Sequence, residues 1–324
     1  MRPEYPLYIV SKGRWEVQMT SRYLNQMRVP HYTIVERDQL ALYEEHKHGK
    51  YVTFLVLDPQ FQKDYDKCLP PELDHLSTGS GPARNYAWEH SIAIEGARRH
   101  WVMDDNIIGF FRFNRNLIVP VADGSVFRAM EIFVERYLNL AMAGPNYFMF
   151  VPRKFWMPPF YLNTRIYSCN LIQNDLPFRW RGRYNEDTDL SLRILKHVVD
   201  PKDPLRRLCT VLFNAFVQNK MTTQSAKGGN TEEIYGDGTY EKSKMIVDLH
   251  PDLAAQGAVR LAERFHRWHH YVDYNIFTQR LELRPGVSVP EGVDNMGMVL
   301  ERRDPQTGAW HEMDTPWYAW EDGR

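Results

Sequence analysis

What this sequence lacks excludes several classes of protein. It has only three cysteines in 324 residues, Cys68, Cys169 and Cys209, and they lie far apart. This is too few for a disulfide scaffold, and no closely spaced pair suggests a zinc site. No apolar run approaches the roughly 18 residues that a transmembrane helix requires. We therefore expect reduced thiols and a soluble, cytoplasmic protein without a signal peptide.

The sequence also lacks an excess of charge of one sign. It has 40 Lys and Arg against 41 Asp and Glu, a formal net charge of -1. Proteins that coat nucleic acid non-specifically neutralise many phosphates, so this balance argues against that class but allows a local basic face. Aromatic residues are abundant at 13%. They indicate either additional core or a site that stacks on rings or sugars.

Strand and helix patterns alternate in the first third of the chain. Short apolar runs with β-branched residues predict strands, and apolar residues at helical spacing predict helices between them. The predicted strands are 5–10, 32–35, 51–57 and 101–103. The predicted helices are 17–27, 39–46 and 82–98, the last beginning at a proline. This alternation is typical of βαβ units and a largely parallel sheet.

The pattern is less regular beyond residue 106. It predicts strand-like segments at 107–121, 161–172 and 208–218, and helices at 126–141, 186–198 and 255–271. The tail after residue 284 has no helical period, so we expect irregular strands there. Together these patterns predict an α/β fold with a mixed sheet flanked by helices. We assign residues 1–250 to one domain and 251–324 to a C-terminal appendage of a helix and irregular strands, packed on that domain.

Three polar clusters follow predicted strands. They are Ser11-Lys12-Gly13-Arg14, Glu36-Arg37-Asp38 and Asp104-Asp105-Asn106. Ligands of open parallel sheets bind at the carboxyl ends of the strands, which makes all three clusters candidates for a site. The third suits Mg²⁺ or Mn²⁺, because two carboxylates and an amide offer hard oxygen ligands. A strand-to-turn junction explains the same three residues without a ligand, and for these residues alone it is the commoner explanation.

Two glycine-containing segments could bind an anion. Residues 79–85, GSGPARN, are typical of a turn at a helix N-terminus, where glycines permit close approach and Arg84 supplies a charge. A flexible loop before a helix explains this segment equally well. Lys227-Gly228-Gly229 could close over a phosphate, although we favour an exposed turn.

An acidic cluster opens the helix predicted at 186–198. Asn185 could cap this helix, and the helix dipole favours Glu186, Asp187 and Asp189 in its first turn. The same placement would keep a carboxylate ionised, so that it could act as a general base. The sequence leaves both explanations open.

Taken in order, these motifs resemble those of nucleotide-sugar transferases with a GT-A fold. More narrowly, the chain resembles the TET/JBP-associated glycosyltransferases over roughly residues 5–250. The residues that carry the resemblance are SKGRW (11–15), GPARNYAW (81–88), WVMDDNI (101–107), NEDTDLSLR (185–193) and TQSAKGGNTEEIY (223–235). The resemblance implies a GT-A-like, Rossmann-type sheet and transfer of a sugar from a UDP-sugar to a hydroxyl, with inversion.

The resemblance also implies a setting and an acceptor. In phage members of this family the acceptor is thought to be the hydroxyl of 5-hydroxymethylcytosine in DNA, so we expect modified DNA as the partner and the cytoplasm of a phage-infected host cell as the location. The alternatives are a transferase acting on a saccharide, a protein or a small molecule, and a non-catalytic nucleotide-sugar-binding protein.

Residue roles follow from the same resemblance. The expected donor-binding residues are Ser11, Lys12, Arg14, Glu36, Arg84, Asn85, Asp104 and Lys227. The expected ligands of Mn²⁺ or Mg²⁺ are Asp104, Asp105, Asn106 and His250. Asn106 departs from the usual Asp-x-Asp pattern, in which the third residue is a carboxylate. Asp187 is the expected general base, with its neighbour Glu186 as the rival.

Two groups interleave cations with aromatic rings and are candidates for contact with DNA. They are Arg153, Lys154 and Trp156, and Arg179, Trp180, Arg181 and Arg183. Cations in such groups could hold phosphates while a ring stacks on a base turned out of the duplex. Without the family resemblance, a solvated surface strip explains these residues equally well.

Overall fold

The computed structural model describes residues 1–115, 117–151, 158–221, 239–262, 265–289, 301–304 and 306–312. The helices are α1 (Met19–Gln26), α2 (Leu40–Glu45), α3 (Pro59–Lys63), α4 (Gly81–Ala93), α5 (Ser125–Val134), α6 (Glu186–Lys196) and α7 (Tyr240–Leu249). Short 3-10 helices lie at Arg37–Gln39, Pro71–Leu73 and Phe148–Phe150.

The strands divide into one large sheet and three small pairs. Strands of the large sheet are β1 (Leu7–Val10), β2 (His31–Val35), β3 (Val52–Val56), β4 (Arg99–Asp104), β5 (Ile107–Asn114), β6 (Leu117–Pro120), β7 (Leu140–Tyr147), β8 (Phe160–Leu162), β9 (Cys169–Gln173) and β12 (Cys209–Lys220). The pairs are β10 (Val198–Asp200) with β11 (Asp203–Arg207), β13 (Ala254–Ala262) with β14 (Phe265–Val272), and β15 (Glu301–Arg303) with β16 (Trp310–Glu312).

The large sheet is mixed, with the order β3-β2-β1-β4-β9-β7-β12-β5-β6. Its first four strands are parallel, as the alternating pattern predicts. Strand β9 is antiparallel to both β4 and β7, and β12 is parallel to β7. Strands β1, β2, β4, β7 and β12 therefore all run in one direction and end at the same edge. The predicted α/β fold with a mixed, helix-flanked sheet is confirmed.

Both faces of this sheet are buried. In β1, Leu7 and Ile9 pack into one apolar cluster, and Tyr8 and Val10 pack into another on the opposite face, because successive side chains of a strand alternate. Helices α1 and α5 cover the first face, and α4 and α6 cover the second. This explains why all four residues of β1 are buried and apolar, as in parallel sheets generally.

Two predicted segments of the middle region have different boundaries in the structure. The helix predicted at 126–141 stops at Val134, and Leu140 and Ala141 belong to the buried strand β7. The strand predicted at 161–172 is divided into β8 and β9. Periodicity misplaces these boundaries because a continuous apolar run suits a buried strand as well as a helix.

The helix predicted at 255–271 is wrong. This segment forms the antiparallel hairpin β13–β14, and the helix α7 lies upstream of it. Trp268 of the hairpin meets Tyr240 of α7 edge to face, with ring centroids 5.1 Å apart. Tertiary packing of this kind outweighs the helical propensity of the Ala, Leu and Glu residues. The appendage therefore starts with a hairpin, and the domain boundary at residue 250 stays a prediction.

Candidate active site

A cleft with a volume of about 340 Å³ opens at the carboxyl edge of the large sheet. Several strands end there and bring residues from distant parts of the sequence into its wall. Ser11 follows β1, Glu36 follows β2, and Asp104, Tyr147 and Lys220 stand at or next to the ends of β4, β7 and β12. The parallel strand directions thus place the predicted clusters in one site.

Most residues predicted to bind the donor line this cleft. They are Ser11, Lys12, Arg14, Glu36, Arg84 and Asp104. Asn85 does not, because its amide makes two hydrogen bonds of 2.9 Å with the backbone of Trp180 and so ties α4 to that loop. Lys227 lies outside the described residues.

Asp104 lies between two cations. Its Oδ1 accepts a hydrogen bond of 2.5 Å from Arg84 Nη2, and its Oδ2 accepts one of 2.6 Å from Lys220 Nζ and one of 2.8 Å from Ser168 Oγ. Burial alone would raise the pKa of this carboxyl, but Lys220 and Arg84 outweigh it and hold the pKa well below its usual range. Burial would lower the pKa of Lys220, but Asp104 reverses this, so both groups are charged.

Asp105 lines the same cleft as Asp104 but has other partners. Its Oδ1 forms an ion pair with Arg14, and its Oδ2 accepts a hydrogen bond of 2.8 Å from Ser11 Oγ. Burial raises the pKa of this carboxyl, and Arg14 and Ser11 oppose the rise without cancelling it. The neighbouring Asn106 donates to the carbonyl of Met221. The tandem acidic residues therefore serve two different sets of partners.

The arrangement of Asp104, Asp105 and Asn106 does not fit a divalent cation. Each carboxylate already has a cationic partner, and the side-chain oxygen of Asn106 is buried. A divalent ion and one ammonium about 4 Å apart repel by about 8 kcal/mol at an effective dielectric of about 20. Within the described part of the chain, no cluster of three His, Cys, Asp or Glu residues suits a metal.

His250, the fourth predicted metal ligand, is not in the cleft wall. It is buried behind α6, where its Nε2 lies 2.9 Å from Asp189 Oδ1 and its Nδ1 lies 3.2 Å from Lys196 Nζ. These contacts join the end of α7 to α6. The structure therefore gives His250 a positioning role for the helix and does not bring it to the other predicted ligands.

The N-termini of α4 and α6 meet across the cleft. Glu186 Oε1 accepts a hydrogen bond of 2.7 Å from Ser80 Oγ and lies 3.5 Å from Arg84 Nε. Burial raises the pKa of Glu186, with Arg84 opposing. Close packing explains the glycine at the start of α4, because a Cβ on Gly81 would lie 1.7 Å from the Tyr65 hydroxyl oxygen.

Asn185 and Asp187 complete the start of α6. Asn185 is the N-cap residue, but its side chain donates to the carbonyl of Lys242 and does not cap the helix. Its backbone adopts a left-handed conformation with φ of 50°, which asparagine tolerates better than most residues. Asp187 faces the cleft, and its Oδ1 accepts a hydrogen bond of 2.8 Å from the backbone N–H of Thr188.

Sequence reasoning missed several residues of the cleft. They are Tyr147, Arg165, Ser168, Lys220 and Lys242. Lys220 carried a usable signal, since it ends a long apolar strand that was correctly predicted. Arg165 lies between strands, and no local pattern marks it.

The cleft has an excess of positive charge. Among the residues that the structure describes, its wall contains five carboxylates, those of Glu36, Asp104, Asp105, Glu186 and Asp187. Against these stand seven cations, Lys12, Arg14, Arg84, Arg165, Arg183, Lys220 and Lys242. The formal excess of two positive charges suits an anionic ligand such as a diphosphate.

Two of the four residues at 179–183 that were predicted to contact DNA, Trp180 and Arg183, are buried. Trp180 is 2% exposed and packs against the guanidinium of Arg84, so its ring cannot stack on a base, and Arg183 is buried beside Ser77. Arg179 forms an ion pair with Glu89, and Arg181 pairs with Asp189. The prediction that Trp180 stacks on a base is therefore wrong, and the DNA contacts of Arg179, Arg181 and Arg183 stay predictions.

The other predicted DNA contacts are Arg153, Lys154 and Trp156, and they lie outside the described residues. In the described part of the chain, no helix combines the length and the apolar character that crossing a bilayer requires.

A mixed α/β sheet with a cation-rich cleft at the carboxyl ends of its strands is typical of proteins that bind a phosphorylated ligand. The sequence profile of the TET-Associated Glycosyltransferase family matches residues 5–229. The chain therefore belongs to this family and is a glycosyltransferase, which implies a nucleotide-sugar donor and an acceptor. Neither the curated proteins nor the solved structures contain a match to the chain.

Proposed function

We propose that this glycosyltransferase moves a hexosyl or N-acetylhexosaminyl group from a UDP-sugar to the hydroxyl of 5-hydroxymethylcytosine in DNA. The observation that carries the proposal is the cleft itself, in which a cation-rich wall faces two carboxylates at the start of α6. The cations suit the diphosphate of a donor, and the carboxylates suit an acceptor hydroxyl.

Asp187 is the residue that we assign as general base. Its carboxylate faces the cleft and is held at the helix start by the N–H of Thr188. Glu186 instead accepts a hydrogen bond from the Ser80 hydroxyl and lies next to Arg84, so it positions the arginine. Asp187 would take the proton of the acceptor hydroxyl while the oxygen attacks the anomeric carbon opposite the diphosphate, which inverts the configuration at that carbon.

A DNA acceptor requires a surface on which an unstacked base can lie. Phe150 is about half exposed, and its ring centroid is 5.8 Å from that of Tyr147, which lines the cleft. Aromatic rings commonly stack on bases that enzymes turn out of the duplex. Phe150 therefore takes the stacking role in our proposal that Trp180 cannot take.

The test is mass spectrometry of hydroxymethylated DNA after incubation with a panel of UDP-sugars, with and without Mn²⁺. We expect one mass increase of a single hexosyl or N-acetylhexosaminyl group, and none on unmodified DNA. Transfer to a saccharide or a small hydroxyl compound, with no product on DNA, would support the transferase activity and contradict DNA as the acceptor. UDP-sugar binding without transfer to any acceptor would favour a non-catalytic binding protein.

Two matched variants identify the base. Asp187→Asn should lower kcat by roughly 10²- to 10⁴-fold, the usual contribution of a general base, and leave UDP-sugar binding intact. Glu186→Gln should affect donor binding more than kcat, because it disturbs Arg84. The reverse pattern would make Glu186 the base.

A further inference from the structure

Lys220 and Arg84 stand on either side of Asp104 at the centre of the cleft wall. We infer that these two cations, and not a divalent metal, neutralise the diphosphate that leaves the donor, so that transfer proceeds without added metal. The inference rests on the proposed function, because it concerns the leaving group of the same donor. It replaces the metal dependence that the sequence had suggested.

Both cations are fixed before a ligand arrives. Asp104 binds Lys220 and Arg84 through separate oxygens, and Ser168 Oγ lies 2.8 Å from the ammonium of Lys220. Groups that are already oriented need no reorganisation when charge develops on the leaving group. Asp104 offsets one of these two positive charges, and Glu186 lies 3.5 Å from Arg84 Nε, so the net positive charge belongs to the described cleft wall as a whole.

Arg84 also has unused donor capacity. It is 4% exposed, and its Nη1 has no hydrogen-bond partner within the described residues. Buried polar groups are nearly always paired, so such a donor beside a cleft points to a ligand that completes its bonding. A diphosphate oxygen is an acceptor of the type that guanidinium groups prefer.

The charges of the cleft support the same conclusion. Its described cations exceed its described carboxylates by two, which equals the charge that one divalent ion would bring. In the transfer step the bond between the anomeric carbon and the diphosphate oxygen breaks, and its electron pair remains on that oxygen. A bond forms from the carbon to the acceptor oxygen, and the acceptor proton passes to Asp187. Lys220 and Arg84 donate hydrogen bonds to the diphosphate and keep their protons.

Calorimetry of the full chain in EDTA tests the inference, with UDP and inorganic pyrophosphate as probes. Wild-type protein should bind both probes, and added Mn²⁺ should not strengthen either. Lys220→Gln should weaken both by roughly 10- to 100-fold, the loss expected for one hydrogen bond to a charged group. Lys220→Arg should restore part of the affinity.

Lys244→Gln is the matched control. Lys244 is a partly exposed lysine on α7 that pairs with Asp248 and lies outside the cleft wall, so this variant should bind both probes as wild type does. A purely structural role of Lys220 would lower the urea midpoint of Lys220→Gln and leave its affinity for pyrophosphate unchanged, which would overturn the inference.

The outcomes separate the inference from the proposed function. UDP binding and sugar transfer that require Mn²⁺ and disappear in EDTA would overturn the inference but would still support the proposed function. Pyrophosphate binding in EDTA that depends on Lys220, with no transfer from any UDP-sugar, would support the inference about the diphosphate site and reject the proposed donor. If neither UDP nor pyrophosphate binds in EDTA or with Mn²⁺, both the inference and the proposed function are wrong.

Discussion

Replacing Asp189 with asparagine should lower the free energy of unfolding by about 2–3 kcal/mol. The carboxylate is fully buried in α6, where Oδ2 lies 2.8 Å from Arg193 Nε and Oδ1 lies 2.9 Å from His250 Nε2 and 3.1 Å from Arg181 Nη2. Asparagine preserves the shape but removes the charge and one acceptor oxygen.

The magnitude follows from these contacts. A hydrogen bond to a charged group contributes about 1.5–3 kcal/mol, and a buried cation left without its partner adds to the loss. Arg181 is 32% exposed, so water replaces much of its contact with Asp189, and this pair accounts for a small share of the lost free energy. The loss therefore comes mainly from the hydrogen bond with the buried His250 and from the ion pair with Arg193, which is 17% exposed.

Urea unfolding of the full chain, followed by tryptophan fluorescence, measures this loss. The control is Asp252→Asn, which removes an ion pair with Lys196 at a residue that is 60% exposed, and exposed pairs contribute about 0–1 kcal/mol. If Asp189→Asn is no less stable than Asp252→Asn, the reasoning about the buried carboxylate is refuted.

Three further predictions concern stability and reactivity. Burial would raise the pKa of Asp189, but its contacts with His250 and the arginines outweigh burial and lower this pKa below the unfolded value of about 3.9. The contribution of Asp189 to the free energy of unfolding is therefore complete above that pH and is lost as the pH falls. The difference in unfolding free energy between wild type and Asp189→Asn should therefore shrink from pH 5 to pH 2, and a constant difference would contradict this. Gly144→Ala should lower the free energy of unfolding by about 1–3 kcal/mol, because the new Cβ would lie 2.2 Å from the backbone oxygen of Cys169. Urea unfolding measures this loss, and an unchanged urea midpoint would rule out the clash. All three cysteines lie within the described residues, and of these Cys68 alone is partly exposed. Native protein should therefore react with Ellman's reagent at pH 8 to release at most one equivalent of thionitrobenzoate per chain before it unfolds.

The sequence predicted the α/β class and the location of the site because both depend on local patterns. Alternating strand and helix signals in the first third imply parallel neighbours, and parallel strands place their carboxyl ends at one edge. Ser11, Glu36 and Asp104 follow such strands, so their convergence could be foreseen. The acidic start of α6 was equally visible, since it lies next to an amphipathic helical segment.

Local patterns failed where packing chose between alternatives. Residues 255–271 have the composition of a helix, yet they pair as a hairpin against α7. Trp180 lies in a basic sequence that suggests a surface, but tertiary contacts bury it against Arg84. Neither outcome has a signal within a few residues of the position concerned.

By itself, therefore, the sequence determined which strands form, where they end and which polar residues stand at those ends. Only the tertiary structure decided the partner of each charge. Lys220 and Arg84 are 116 and 20 residues from Asp104, yet they bind its two oxygens, so that one carboxylate holds a pair of cations. The physical reason is that such pairings depend on strand order and burial, which the spacing of residues along the chain does not contain.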